Sequence, residues 1–280
     1  MIASVSTHLF AFYRLEEKYL QWIADAGFSS IELWGAQPHF NFHDAAEVQR
    51  VLGWLCGAGL SVGSVHLPFY HDFREPTFRY IGFSDEDEYG RRLMADKAKQ
   101  LINLCPTFGS RFVVLHPVGK KAHDPQALPR LRRELDWFAP YCAERGIKIA
   151  LENVMLPGSR ANHLADLCRD YAPTLGICLD LGHALIDGGV AEEIEAAGEY
   201  ILAVHVHDNR GAHDEHLLPG RGVIDWPAVF AALSRHSPNL RHFTFELMIP
   251  VMDDAIDEAR YREILNGAQL FWRSMTGTDT

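Results

Sequence analysis

Short β-rich runs recur eight times along the chain, each parted from the next by a helical pattern. They are IASVST (2–7), SSIELW (29–34), LSVGSVH (60–66), RFVVLHP (111–117), KIALEN (148–153), TLGICLDL (174–181), YILAVHVHD (200–208) and HFTFEL (242–247). Amphipathic stretches such as LEEKYLQWIADAGF and YGRRLMADKAKQLINLC lie between them, with apolar positions at helical spacing. Gly27, Gly59, Gly109 and Gly146 stand where such stretches stop, as helix C-termini favour. Eight such units in 280 residues, without a long linker or low-complexity tract, predict one (β/α)8 barrel domain over residues 1–280. A doubly wound open sheet would instead carry a glycine-rich phosphate turn after an early strand, and no GxGxxG follows any run.

Polar residues then fall at one place in each unit. His66 ends the third run, His116 the fourth, Glu152 the fifth and Asp180 the sixth, with His183 three residues beyond. His205 lies late in the seventh and Glu246 ends the eighth. Residues distant in sequence converge at the C-terminal mouth of such a barrel, where its active sites form. The seventh run continues into HVHDNRGAHDEH, which adds His207, Asp214 and His216. Imidazoles and carboxylates crowded at one mouth repel or stay protonated unless a cation holds them, and Zn²⁺ or Mn²⁺ accepts this N/O mixture. Glu152, Asp180, His205 and Glu246 would enclose one ion. His66 with His116, and His183 with Asp214 and His216, would hold others, giving one to three ions per chain. His207 points to the same face as His205 and is the alternative ligand from that strand.

Composition narrows the partners. A formal charge of −11 matches polyanions poorly, because nucleic-acid affinity rests on Lys and Arg neutralising phosphates; PFYHDFREPTFRY (68–80) is the one loop with a basic and aromatic character. The apolar runs are strand-sized, too short to span a bilayer. No positive n-region with an apolar stretch opens the chain, and the five cysteines are scattered without a CxxC pair. Both features predict a reducing cytoplasm. A homo-oligomer is allowed.

The whole chain resembles the xylose-isomerase-like TIM-barrel superfamily, which includes sugar isomerases and epimerases, inosose dehydratases and the endonuclease IV family. The resemblance is carried by SVHLP, VVLHP, IALENV, CLDLGHA, HVHDN, DEH, PGRGVIDW and FTFELM. Similarity to the epimerases would make Glu152, Asp180, His205 and Glu246 the single metal site, with Glu152 and Glu246 doubling as proton-transfer groups. Similarity to endonuclease IV would add His66, His116, His183, Asp214 and His216 to a nine-residue set holding three zinc ions. The first 45 residues, with IELWG and FNFHD, look like the sugar branch, and PGRG stands where the endonucleases carry GEG.

Two activities follow as expectations: metal-dependent isomerisation or epimerisation of a small sugar, polyol or sugar phosphate, and metal-assisted phosphodiester hydrolysis at abasic DNA. The sugar reading is preferred on charge and on the N-terminal third. Glu32, Trp34, His207 and Arg221 are candidate substrate contacts, His8 a pocket-lining group, and Phe10, Phe69 and Tyr70 core caps or substrate walls. His39, His43, His71, His123, His163, His236 and His242 are read as structural or solvated. Asp225 is the expected N-cap of a helix with Pro227 in its first turn.

Overall fold

The computed structural model describes residues 1–72, 80–117, 124–156, 158–249 and 256–277. Eight parallel strands close on themselves: β1 (Ile2–Ser6), β2 (Ser30–Trp34), β3 (Ser61–His66), β4 (Phe112–Leu115), β5 (Lys148–Glu152), β6 (Leu175–Asp180), β7 (Ile201–Val206) and β8 (His242–Phe245). Each pairs with its sequence neighbour, and β1 also pairs with β8. This is a single (β/α)8 TIM barrel.

The helices α1 (Glu17–Asp25), α2 (Ala45–Ala58), α3 (Glu88–Leu104), α4 (Ala127–Ala143), α5 (Ala161–Asp170), α6 (Leu181–Ile186), α7 (Val190–Ala197), α8 (Trp226–His236) and α9 (Glu258–Thr276) form the outer ring. Their starts follow local chemistry. Asp44, Asp87 and Asp225 cap α2, α3 and α8 by accepting from Ala46 N, Tyr89 N and Ala228 N, and Pro227 sits in the first turn of α8 as expected. Gly59 ends α2 at φ 68°, a left-handed backbone that only glycine adopts freely.

Two apolar layers hold the barrel. Between sheet and helices, Leu101, Leu131, Leu135, Phe138, Leu164 and Leu265 are buried against outward strand faces, each worth about 1.5–3 kcal/mol. Inside, Phe112, Val114, Ala150, Cys178 and Ala203 plug the lower barrel. The plug leaves the upper interior to polar side chains.

Two strand ends differ from expectation. His116 and Glu246 lie one residue past β4 and β8. Pro117 follows His116 and has no N–H to continue a ladder.

Candidate metal centre

The upper interior is built from consecutive strands. Glu152 ends β5, Asp180 ends β6, His205 is the penultimate residue of β7, and Glu246 follows β8. Asp180 and His205 are register partners across β6 and β7. One ligand-type atom from each of the four lies within 4.8 Å of the other three. His205 Nδ1 is 3.3 Å from Glu246 Oε2, 3.4 Å from Glu152 Oε2 and 4.0 Å from Asp180 Oδ2. All four residues are buried, and His205 Nδ1 has no hydrogen-bond partner. Three carboxylates turned toward one unpartnered ring nitrogen fit a divalent cation: it would accept all four donors, whose burial otherwise costs desolvation energy. Among the described residues no Lys or Arg pairs with these carboxylates; their ionic partners are histidines.

More histidines back the four. Glu152 Oε2 lies 3.1 Å from His66 Nε2 and 3.2 Å from His116 Nε2. His66 Nδ1 donates to the Leu67 carbonyl at 2.8 Å, so Nε2 donates as well only when the ring is charged. Burial opposes that charge, but the Glu152 carboxylate outweighs it and raises the His66 pKa. Glu152 is depressed by other rings: burial favours its neutral acid, and His116 and His205 override it. Glu246 is likewise held well below the carboxylate range, burial being overcome mainly by His205.

A second cluster adjoins the first. His183 Nε2 and His216 Nε2 approach Asp214 Oδ2 at 3.2 and 3.0 Å, while their Nδ1 atoms lie 2.8 Å from the carbonyls of Asn153 and Glu246. Burial works against a charged His216, yet the Asp214 hydrogen bond and charge lift it to about 9. His216 has φ 46°, an uncommon backbone for a side-chain-bearing residue. His207 stacks on His216 at 4.1 Å between centroids and places Nε2 3.0 Å from Asp180 Oδ2. Gly182 makes this possible, since a Cβ there would collide with the His207 ring. His207, Asp214 and His216 offer ligand atoms within 4.8 Å of one another, as do Asp180, His183 and His207.

The loop after β7 brings Asp214 and His216 back over the mouth because Asp208 folds it. The buried Asp208 carboxylate accepts from the backbone N–H groups of Asn209, Gly220 and Ile224 and from Trp226 Nε1. A Cβ at Gly222 would collide with Asn209 O and Asp208 Oδ1, so PGRG has a structural reason for its second glycine.

Above the centre opens a cavity of about 290 Å³, lined by Glu152 and Glu246 with His8, Phe69, His116, Met155, Leu156, His183, Asp214 and His216 among others. Phe69 lies flat on His116, 4.2 Å between centroids. Burial keeps His8 neutral, with its pKa lowered to about 3. Not every candidate contact reaches this space. Glu32 lies a layer lower, 1% exposed, accepting from Ser64 Oγ at 2.8 Å and facing His205 Nε2 at 3.2 Å. Trp34 is buried behind His8, edge-on to its ring. His207 sits below the lining, and Arg221 is exposed beside a different cavity next to α9. Phe10 stacks between Tyr19 and Tyr261 in the outer core. His39 is structural, its Nδ1 on the Phe10 and Tyr13 carbonyls. Residues 73–79 of the basic loop, and His123, lie outside the described residues.

Asn153 was not anticipated. Its side chain takes Asp180 N–H and gives to Asp180 O, locking the ends of β5 and β6 together, and its carbonyl seats His183. Its place directly after Glu152 in LEN was the available signal.

The xylose isomerase-like TIM barrel family matches residues 20–264. The chain belongs to that family. It is 29% identical over 243 residues to uncharacterized protein y4fM of Sinorhizobium fredii, covering 77% of this chain and 76% of that protein. It is 27% identical over 173 residues to inosose isomerase of Bacillus subtilis, covering 55% of this chain and 60% of that one. Among solved structures, a D-tagatose 3-epimerase-like protein superposes with TM-score 0.75 at 23% identity, covering 99% of this chain and 100% of the other. The IOLI protein with a binding zinc atom superposes with TM-score 0.74 at 19% identity, covering 99% and 98%.

Proposed function

We propose that this family member is a divalent-metal-dependent isomerase or epimerase of a small sugar, polyol or sugar phosphate. The observation that carries the reading is the four-strand donor set at the floor of the 290 Å³ cavity, with two of its members, Glu152 and Glu246, lining that cavity. A space of this size suits a small metabolite, lying just under the range of about 300–1,000 Å³ typical of pockets for drug-sized ligands. The inosose isomerase relative and the tagatose-epimerase-like fold support the sugar class, and the zinc of the IOLI structure supports a metal.

A cation bound by Glu152, Asp180, His205 and Glu246 would polarise a substrate carbonyl and offset the charge that develops beside it. The chain's own groups do the proton work. Glu152 and Glu246 are both held ionised by neighbouring histidines, so either can accept a proton from the carbon next to the carbonyl. One takes it and the other, from across the bound carbons, returns it on the opposite face for epimerisation. Phe69, Met155 and Leu156 line the cavity with apolar surface, limiting water near the carbanionic carbon. The free thiols, four of them buried, fit a reducing cytoplasm.

The test is exchange of substrate C–H for solvent deuterium, with Mn²⁺ or Zn²⁺ supplied and a panel of ketoses and inososes. Glu246→Gln should lower exchange by about 10²–10⁴-fold while circular dichroism stays that of the parent. Near-parent exchange by that variant would refute the proton-transfer role.

A second reading is favoured by the adjoining cluster of His207, Asp214 and His216: clustered ions would suit phosphodiester cleavage at abasic DNA. Among the described residues no Lys or Arg lines the cavity, which weighs against a polyanion. Chelator-sensitive incision of abasic DNA would reverse the order of the two readings.

A further inference from the structure

We infer that Glu32 is a positioning residue for the metal centre: its buried carboxylate, seated by Ser64, holds the proton of His205 on Nε2 and so turns the Nδ1 lone pair to the cation. The inference rests on the metal-centre reading above and assigns a role within it.

The register of the sheet sets up the contact. Glu32 on β2 is the partner of Ser64 on β3, below the level of Trp34 and His66. Ser64 Oγ donates to Glu32 Oε2 at 2.8 Å, and the same oxygen lies 3.2 Å from His205 Nε2. His205 is fully buried and stacks against His66, 5.7 Å between centroids and 21° between planes, so its ring has little freedom to turn. Its two nitrogens therefore face different groups: Nε2 meets one carboxylate below, and Nδ1 meets Glu152, Glu246 and Asp180 above.

That division fixes the tautomer. With the proton on Nε2, the ring donates to Glu32 and offers a lone pair upward. With the proton on Nδ1, the Nε2 lone pair would press against a carboxylate, and no donor atom would remain for a cation. An outer carboxylate on a ligating histidine also makes the ring a stronger base, and its loss typically costs about 10–100-fold in metal affinity.

Glu32 has no evident structural reason to be charged. Among the described residues no Lys or Arg pairs with it, and Oε1 has no hydrogen-bond partner. A carboxylate buried in a barrel interior is costly unless it is paired, and the ionic partner on offer is His205 at 3.2 Å. His205 is what the charge serves.

The experiment measures Co²⁺ binding by calorimetry and visible absorption on the full chain, with thermal melting of the chelated protein alongside. Glu32→Gln keeps the shape and removes the charge. It should weaken Co²⁺ binding by about 10–100-fold and move the cobalt bands, while the chelated variant melts near the parent temperature. Glu32→Asp, which keeps the charge, should recover part of the affinity. Ser110→Ala breaks the buried Ser110–Phe112 hydrogen bond at the opposite, N-terminal end of the barrel and should leave binding unchanged. Parent affinity and parent bands in Glu32→Gln would overturn the inference, as would an affinity loss matched by a drop in the chelated melting temperature. A parent chain that takes up no cobalt overturns the metal-centre reading itself, and this one with it.

Discussion

His39 shows how a single buried ring couples the fold to pH. It is 1% exposed, its Nδ1 donates to the Phe10 and Tyr13 carbonyls, and burial lowers its pKa from 6.5 to about 4 despite those bonds. The folded ring is neutral where the unfolded ring takes a proton. Its contribution is therefore whole above pH 6.5 and is lost as pH falls from 6.5 toward 4. A shift of this size corresponds to about 3 kcal/mol. His39→Asn retains an amide donor near the Nδ1 position and removes the titration. Urea unfolding at pH 7 and pH 4 should show the parent losing about 3 kcal/mol more than the variant; equal losses would rule His39 out as the cause. Depth is what single residues did not reveal. Glu32 and Trp34 share a face by the two-residue period of a strand, and the sequence offers both as mouth residues. Which layer each occupies depends on the stagger between neighbouring strands, and β3 pairs Glu32 with Ser64, two residues short of the strand end.

At the scale of elements, the strand ends were legible because a parallel barrel sends every C-terminal end to one mouth, whatever the sequence distance. His66, Glu152, Asp180 and His205 could be placed on that logic alone. The loop after β7 could not, since its path depends on a side chain inside it. Asp208 accepts four hydrogen bonds from buried or partly buried donors, and these span residues 209 to 226. Asp208→Ala would strand those donors, and hydrogen bonds to a charged group are worth about 1.5–3 kcal/mol each, without full additivity. A loss of about 3 kcal/mol or more in denaturant stability is expected. Proteolysis should then cut first within 209–222, because the strap that carries Asp214 and His216 is released. Unchanged stability and an uncut loop would mean that packing of Leu217 and Trp226 holds the strap instead.

For the whole molecule, ion count decides between the chemistries that the sequence left open. The four-strand set draws ligands from β5, β6 and β7 and from the residue after β8, so an ion there ties half the barrel ring and binds only the folded chain. Such linkage stabilises by about 2.7 kcal/mol when free metal is 100 times Kd, which for a chain of this size is roughly 5 °C or more in Tm. The adjoining cluster differs in kind. Asp214 is the one carboxylate that His183 and His216 share, it is partly exposed, and it rides on the loop that Asp208 folds. Its affinity should be the weaker, since His207, Asp214 and His216 offer a cation one carboxylate where the four-strand set offers three. Native mass spectrometry after gel filtration should therefore find one tightly held ion per chain, removed by chelator with a fall in Tm of that size. Asp180→Asn should abolish its retention, whereas His216→Gln should leave it in place. Three ions retained per chain, with both variants losing metal together, would make the two clusters one centre and move the chemistry from proton transfer on a sugar to hydrolysis of a phosphodiester.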